Sequence, residues 1–204
     1  MKKLTVLFIT FLALTACSTG PTMKADELEI RDDGLAYELS VESPYTGTSE
    51  KYYDNGNLES IASFIDGKEH GTTTFYFPGG GIHKQDEFRN GQLEGVSTEW
   101  RPNGDLYKEV SFKNGQLDGE SITYHPDGKK KTMSEYKEGV RNGKQFYWYA
   151  DGTKKLEGNF KNDLQDGISR QWDEQGNLLY EKEYKEGVEL VLEQEKTIED
   201  TDEQ

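Results

Sequence analysis

The sequence predicts an all-β fold: an elongated antiparallel meander of tandem β-hairpin repeats forming a single-layer sheet. Three observations carry this. Glycine recurs every 24 residues at Gly47, Gly71, Gly95, Gly119, Gly143 and Gly167. Aromatic residues keep the same step, and turn-forming residues punctuate each copy twice. The chain is also polar but not aromatic-poor, with mean hydropathy −0.91 and 12% aromatic residues across 204 positions. Disorder depletes aromatics, so this composition points instead to short strands and tight turns over a thin core.

A second glycine follows nine residues after the first, at Gly56, Gly80, Gly104, Gly128, Gly152 and Gly176. The residues around it include Tyr53-Asp54-Asn55-Gly56, Arg101-Pro102-Asn103-Gly104 and His125-Pro126-Asp127-Gly128. Proline cannot take the positive φ that a two-residue type I′ turn needs at its first central position. The pattern therefore predicts a three-residue loop, with Pro opening a type I turn and Gly in the left-handed bulge position. A third column, Gly67, Gly91, Gly115, Gly139, Asp163 and Gly187, is expected to repeat that chemistry, Asp163 being tolerable because Asp enters the left-handed region. The first-column glycines fall inside strands, where glycine marks a bend or a close backbone approach.

Two turns per copy leave two strands, each with one aromatic column. Tyr52, Tyr76, Trp100, Tyr124, Trp148 and Trp172 form the first, and Phe64, Phe88, Phe112, Tyr136, Phe160 and Tyr184 the second. Alternation places the first aromatics with Val96, Ile122, Phe146 and Ile168, and the second with Leu58, Ile82, Leu106 and Leu178. Lys130 and Lys154 hold that leucine place in copies four and five, where their stems can still cover aromatic surface. The expected product is one aromatic stripe and one wet face bearing Glu87, Glu109, Glu135 and Glu181.

Five segments follow. Residues 1–16 read as an export signal: Lys2 and Lys3, an apolar run from Leu4 to Leu14, then Leu14-Thr15-Ala16-Cys17. The run is shorter than the roughly 20 apolar residues of a spanning helix. Residues 17–27 read as a flexible tether, 28–46 as a leading hairpin that caps the array, and 47–188 as the six repeats. Residues 189–204, rich in carboxylates, read as an acidic tail, most of it disordered.

Thirty-nine acidic against 24 basic residues give a formal charge of −15. That balance argues against nucleic acid, where Lys and Arg contacts to phosphate dominate affinity, and favours a basic protein partner. His70, His83 and His125 lack zinc-ligand spacing, so no metal is expected, and no cofactor motif is present. Gly79-Gly80-Gly81 lacks the Lys-Ser/Thr and helix of a phosphate loop. A single-layer sheet offers no cleft for paired carboxylates, so no catalytic residue is assigned and the chain is not read as an enzyme. The candidate binding residues are Tyr53, Phe75, Phe77, Tyr147 and Tyr149, aromatics on the nominally wet face of the first strands. The alternative is that they pack against the leading hairpin, the tail or a second layer.

The repeating pattern resembles the variant MORN repeat. With the Pro44-Tyr45-Thr46-Gly47 entry, it is similar to the YwqK-type antitoxin family over residues 28–188. The Leu-Thr-Ala-Cys tetrapeptide resembles a bacterial lipobox. That resemblance implies cleavage before Cys17 and acylation there, the alternative being an ordinary signal peptide with a chance cysteine. Ser18, by analogy with Gram-negative lipoproteins, implies the outer membrane, facing the periplasm. The family implies a protein-binding immunity or antitoxin-type role against a toxic effector, and the chain is expected to be a monomer. A structural envelope lipoprotein and a glycan-binding lipoprotein are the other readings.

Overall fold

The computed structural model describes residues 20–190, so the signal segment 1–16, Cys17 and tail residues 191–204 lie outside the described residues. From Gly47 onward the chain forms one open sheet in which each strand pairs antiparallel with its neighbours in sequence. The first strands of the copies include Gly47–Tyr52, Gly71–Tyr76 and Gly95–Trp100, and the second strands Leu58–Ile65, Ile82–Arg89 and Leu106–Lys113. Inter-repeat pairs such as Ser60 with Phe75, Lys84 with Glu99 and Leu156 with Gln171 make the array continuous. Among the described residues no large side chain is fully buried; Val110, Ile122 and Met133 are 7%, 8% and 9% exposed.

The second-column loops have three residues. Tyr53 N–H donates to the Asn57 carbonyl at 2.8 Å, and Gly56 N–H returns to the Tyr53 carbonyl at 2.8 Å. The same pair of bonds closes the loops at Phe77, Arg101, His125, Tyr149 and Asp173. Asn and Asp at the second place add an Asx bond, as from Thr153 N–H to Asp151 Oδ1 at 2.7 Å.

The third-column turns differ from expectation. They have two residues, not three: Ile65 pairs with Lys68, and Asp66 and Gly67 take φ of 49° and 75°. Positive φ at both central positions is the type I′ geometry that suits a right-twisted hairpin. No proline stands here, so the reason that excludes type I′ at the second column is absent. Even Glu138 and Glu186 adopt φ of 50° and 49°. An external bond holds them. The second turn residue donates its N–H to the carbonyl 22 positions earlier, from Gly67 to Tyr45 at 2.7 Å and from Gly139 to Leu117 at 2.8 Å. Gly91, Gly115, Asp163 and Gly187 do the same to Glu69, Leu93, Arg141 and Gln165. The turns thus form a longitudinal ladder down one edge of the sheet.

Two irregularities set the faces. Around Gly119 the register slips between Val110 and Phe112, and Gly119 and Gly143 take φ of 110° and 125°. A Cβ on Gly143 would lie 2.9 Å from the Glu135 Cβ, so this column does mark a close approach. The second irregularity lies at the leucine place, where Lys51 pairs with Ser60 but Tyr52 with Leu58, leaving Glu59 as an extra residue. Such a bulge breaks the alternation. It turns the leucine column onto the side of the first aromatics: Lys154 Nζ lies 5.4 Å and 5.3 Å from the ring centroids of Phe146 and Trp172. The second aromatics pair with the first-column glycines, as Phe64 does with Gly47, and so occupy the other face. The expected single aromatic stripe is therefore two stripes on opposite faces, with Glu109 and Glu181 beside the first.

The leading segment also departs from the sequence reading. Within the expected tether, Thr22–Lys24 is a strand pairing in parallel with Thr48–Glu50, followed by a 3₁₀ turn at Ala25–Glu27. Pro21 is fixed through its carbonyl, which accepts from Thr48 N–H at 2.9 Å and Tyr45 Oη at 2.7 Å. This strand covers backbone that an edge would leave unpaired. Leu28–Ile30 and Ala36–Glu38 form a separate two-stranded sheet on the first type I′ turn, Ala36 N–H donating to the Gly67 carbonyl at 2.9 Å. At the other end Val188–Leu190 pairs with Glu183–Lys185, so the expected tail begins as strand.

Substituting Gly143→Ala combines a φ that side chains rarely adopt with a clash on Glu135. It should destabilise the array by about 1–3 kcal/mol. Urea unfolding should show a lower midpoint with an unchanged slope.

Candidate functional site

In copies one, three, four and five the residue following the first aromatic has a consistent task. Tyr53 Oη donates to the Tyr76 carbonyl at 2.7 Å, and Tyr149 Oη to the Trp172 carbonyl at 2.9 Å. Arg101 Nη2 donates to the Tyr124 carbonyl at 2.6 Å, and His125 Nε2 lies 3.1 Å from the Trp148 carbonyl. Each side chain spans to the carbonyl of the next copy's aromatic, latching one repeat to the following one. The extra residue of the bulge braces the latch, with the Arg101 guanidinium 4.8 Å from the Tyr107 ring centroid and Lys155 Nζ 5.2 Å from that of Tyr149. Phe77 occupies the latch place without a donor, and its ring packs 4.5 Å from His83.

Three of the five sequence candidates, Tyr53, Phe77 and Tyr149, therefore stand in the latch column. They are half-buried, and the Tyr53 and Tyr149 hydroxyls bond within their own sheet. Phe75 and Tyr147 lie two places before the latch column, on the other face from the first aromatics and also half-buried. Lys84 Nζ sits 6.0 Å from the Phe75 ring centroid. The structure gathers these five into no single patch. A signal for the latches was present in the sequence: Tyr, Arg, His and Tyr all carry a donor at one column.

A continuous apolar ridge lies on the face of the first aromatics. Tyr52 pairs with Leu58, Tyr76 with Ile82, Trp100 with Leu106 and Trp172 with Leu178; Lys130 and Lys154 fill two leucine places. Twelve strands at about 4.8 Å each give this ridge a length of about 50 Å. Tyr52, Ile82 and Leu178 on it are 45%, 39% and 52% exposed, and Val96 and Ile168 beside it 44% and 41%.

Carboxylates line the ridge. Tyr52 Oη donates to Glu50 Oε2 at 2.6 Å, and Tyr124 Oη donates to Glu109. Burial and the Glu109 carboxylate push the Tyr124 phenol up to about 12. Against the opposing effect of burial, Lys154 at 2.6 Å and Arg170 at 2.7 Å hold Glu157 below the usual carboxylate range. Arg170 also reaches Glu181 at 2.6 Å. The ridge thus offers large aromatic area with an acidic border, a chemistry suited to a protein with apolar and basic side chains.

The histidines do not converge. His125 is a latch, His83 packs on Phe77 and lies 3.6 Å from Glu99, and His70 Nδ1 is hidden without a partner. Among the described residues no three His, Cys, Asp or Glu side chains are arranged to hold a metal ion. Likewise, no described helix is long and apolar enough to cross a membrane.

Removing one latch tests its weight. Tyr149→Phe keeps the ring and should cost about 1 kcal/mol through the bond lost to the Trp172 carbonyl. Thermal unfolding should report it, while Phe75→Tyr, outside the latch column, should gain no such bond.

A family model described as MORN repeat variant matches residues 45–66, 93–114, 117–138, 141–162 and 165–186. Comparison with curated proteins finds no match. The matched segments begin in the residues that accept the turn ladder and end in the type I′ turns that donate to it. They cover more than half of the chain, which belongs to the MORN repeat variant family.

Proposed function

We propose that this chain is a lipid-anchored binding module of the cell envelope, of immunity or antitoxin type, that engages a basic protein through its aromatic ridge. The observation that carries the reading is the ridge itself, about 50 Å of aromatic and aliphatic side chains bordered by Glu50, Glu109, Glu157 and Glu181. Aromatic anchors surrounded by polar groups are what dominant contact residues at protein interfaces look like. MORN-variant repeats are a non-catalytic repeat type, which agrees with a role in binding. The apolar run ending at Cys17 supports export and acylation, and several acyl chains anchor durably where one does not. The formal charge of −15 favours a basic partner and fast, salt-dependent encounter.

The test is co-purification of the full chain from detergent-solubilised envelopes, alongside the products of neighbouring genes. A specific partner should be recovered, its toxicity should be relieved by this chain, and Cys17→Ala should move the chain to the soluble fraction. Tyr52→Ala and Ile82→Glu, both at exposed ridge positions, should weaken capture about tenfold or more without lowering the unfolding temperature appreciably. Absence of any specific partner and of protection, or capture unaffected by both ridge variants, contradicts the reading.

A further inference from the structure

Copy two departs from its siblings on the face opposite the ridge. In the central row there Ser49 pairs with Ala62, Ser97 with Val110, Ser121 with Ser134, Gln145 with Gly158 and Ser169 with Lys182, none of them a carboxylate. In copy two Thr73 pairs instead with Asp86. Asp86 is 4% exposed, yet only its Oδ2 is engaged, by Lys84 Nζ at 2.7 Å. Its Oδ1 is hidden and has no hydrogen-bond partner. A carboxylate oxygen in that position is costly unless something donates to it. Beside it, Thr73 Oγ1 lies 3.4 Å from Glu69 Oε1. Glu69 stands where the following two copies have Leu93 and Leu117. Burial pushes the Glu69 carboxyl up, and the nearby Asp86 charge adds to the effect. The matched family segments pass from 45–66 to 93–114, so the two substitutions sit in a copy that has drifted from the family pattern.

We propose that copy two holds a binding site for a primary ammonium group, gripped by Asp86 Oδ1, a Glu69 carboxylate oxygen and Thr73 Oγ1. Lys84 engages Asp86 through Oδ2, and no ion pair among the described residues engages Glu69, which leaves room for one further positive charge. Three acceptors match the three N–H donors of an ammonium. Calcium and magnesium want about six oxygens, more than this cluster supplies. Glu69 is only half-buried and stands at the solvent side of Asp86. The site lies on the opposite face from the ridge, so it stands or falls apart from the proposed function. The amine can belong to a free small molecule or to a lysine side chain of a polypeptide, and the test separates these.

The measurement is carbon-13 NMR of the side-chain carboxyls in the full chain during titration with three probes. These are n-butylammonium, the peptide acetyl-Gly-Lys-Gly-amide, and tetramethylammonium, which has no N–H to donate. Saturable shifts of the Asp86 and Glu69 signals with butylammonium, absent with tetramethylammonium, are expected. A matching response to the peptide assigns the site to lysine side chains, and a response to butylammonium alone assigns it to free amines. Asp86→Ala, which installs the residue that copy one has at Ala62, should abolish the response while the fold persists. Asp86→Asn should weaken it at least tenfold. Absence of saturation with both amines, an equal response to tetramethylammonium, or binding unchanged in both variants overturns the proposal.

Discussion

The bond from each type I′ turn to the carbonyl 22 residues earlier is the constraint on which the array depends. A single-layer sheet of this length has little buried apolar surface to hold it, since its most buried side chains include Ser49, Thr73, Ser97 and Ser169. Backbone satisfaction must therefore carry more of the order than packing does. The turn ladder satisfies amides that a sheet edge would otherwise leave to water. It also fixes the step between copies: an insertion between donor and acceptor would misalign every later rung, which explains why six copies keep a period of 24. On the other edge, the latches from Tyr53, Arg101, His125 and Tyr149 perform the matching task with side chains. Two edges are thereby tied lengthwise, leaving both broad faces available for chemistry.

The two faces then differ because of one extra residue per copy. The bulge at Glu59 and its equivalents swings the leucine column to the first aromatics and concentrates apolar surface on one side. The other side keeps Ser49, Thr73, Ser97 and Ser169 buried in its central row. Division of labour between faces is what repeat arrays permit, because each copy contacts only its neighbours and a face can drift without disturbing the rest. Copy two shows such drift. Phe77 lacks the latch donor, Asp86 places a carboxylate in the central row, and the turn ladder through Gly91 is nevertheless intact.

Much of this architecture was legible from residues alone. Proline in Arg101-Pro102-Asn103-Gly104 excludes one turn type by its φ and leaves the three-residue loop that the structure contains. Glycine spacing fixed the copy number and the places of close approach, as Gly143 against Glu135 shows. Other features could not be read. The third-column turns depend on a partner carbonyl 22 positions away, so Glu138 at φ 50° has no local signature. Facial assignment failed because period-two alternation assumes no bulge, and Glu59 is indistinguishable in sequence from an ordinary strand residue. Nor could the partners of Tyr53 and Tyr149 be read, because their hydroxyls reach carbonyls of the next copy 23 residues away. Thr22–Lys24 read as tether because nothing in Thr22-Met23-Lys24 announces a parallel partner at Thr48–Glu50.

Amide hydrogen exchange at the six ladder donors tests the central physical claim most directly. Gly67, Gly91, Gly115, Gly139, Asp163 and Gly187 should all be protected well beyond the flanking turn residues, Asp163 no less than the glycines. Their protection should fall together when one rung is broken by a residue inserted between Leu117 and Gly139. Exchange at these amides as fast as in open hairpin turns would contradict the account, because the copies would then be joined only by their strands.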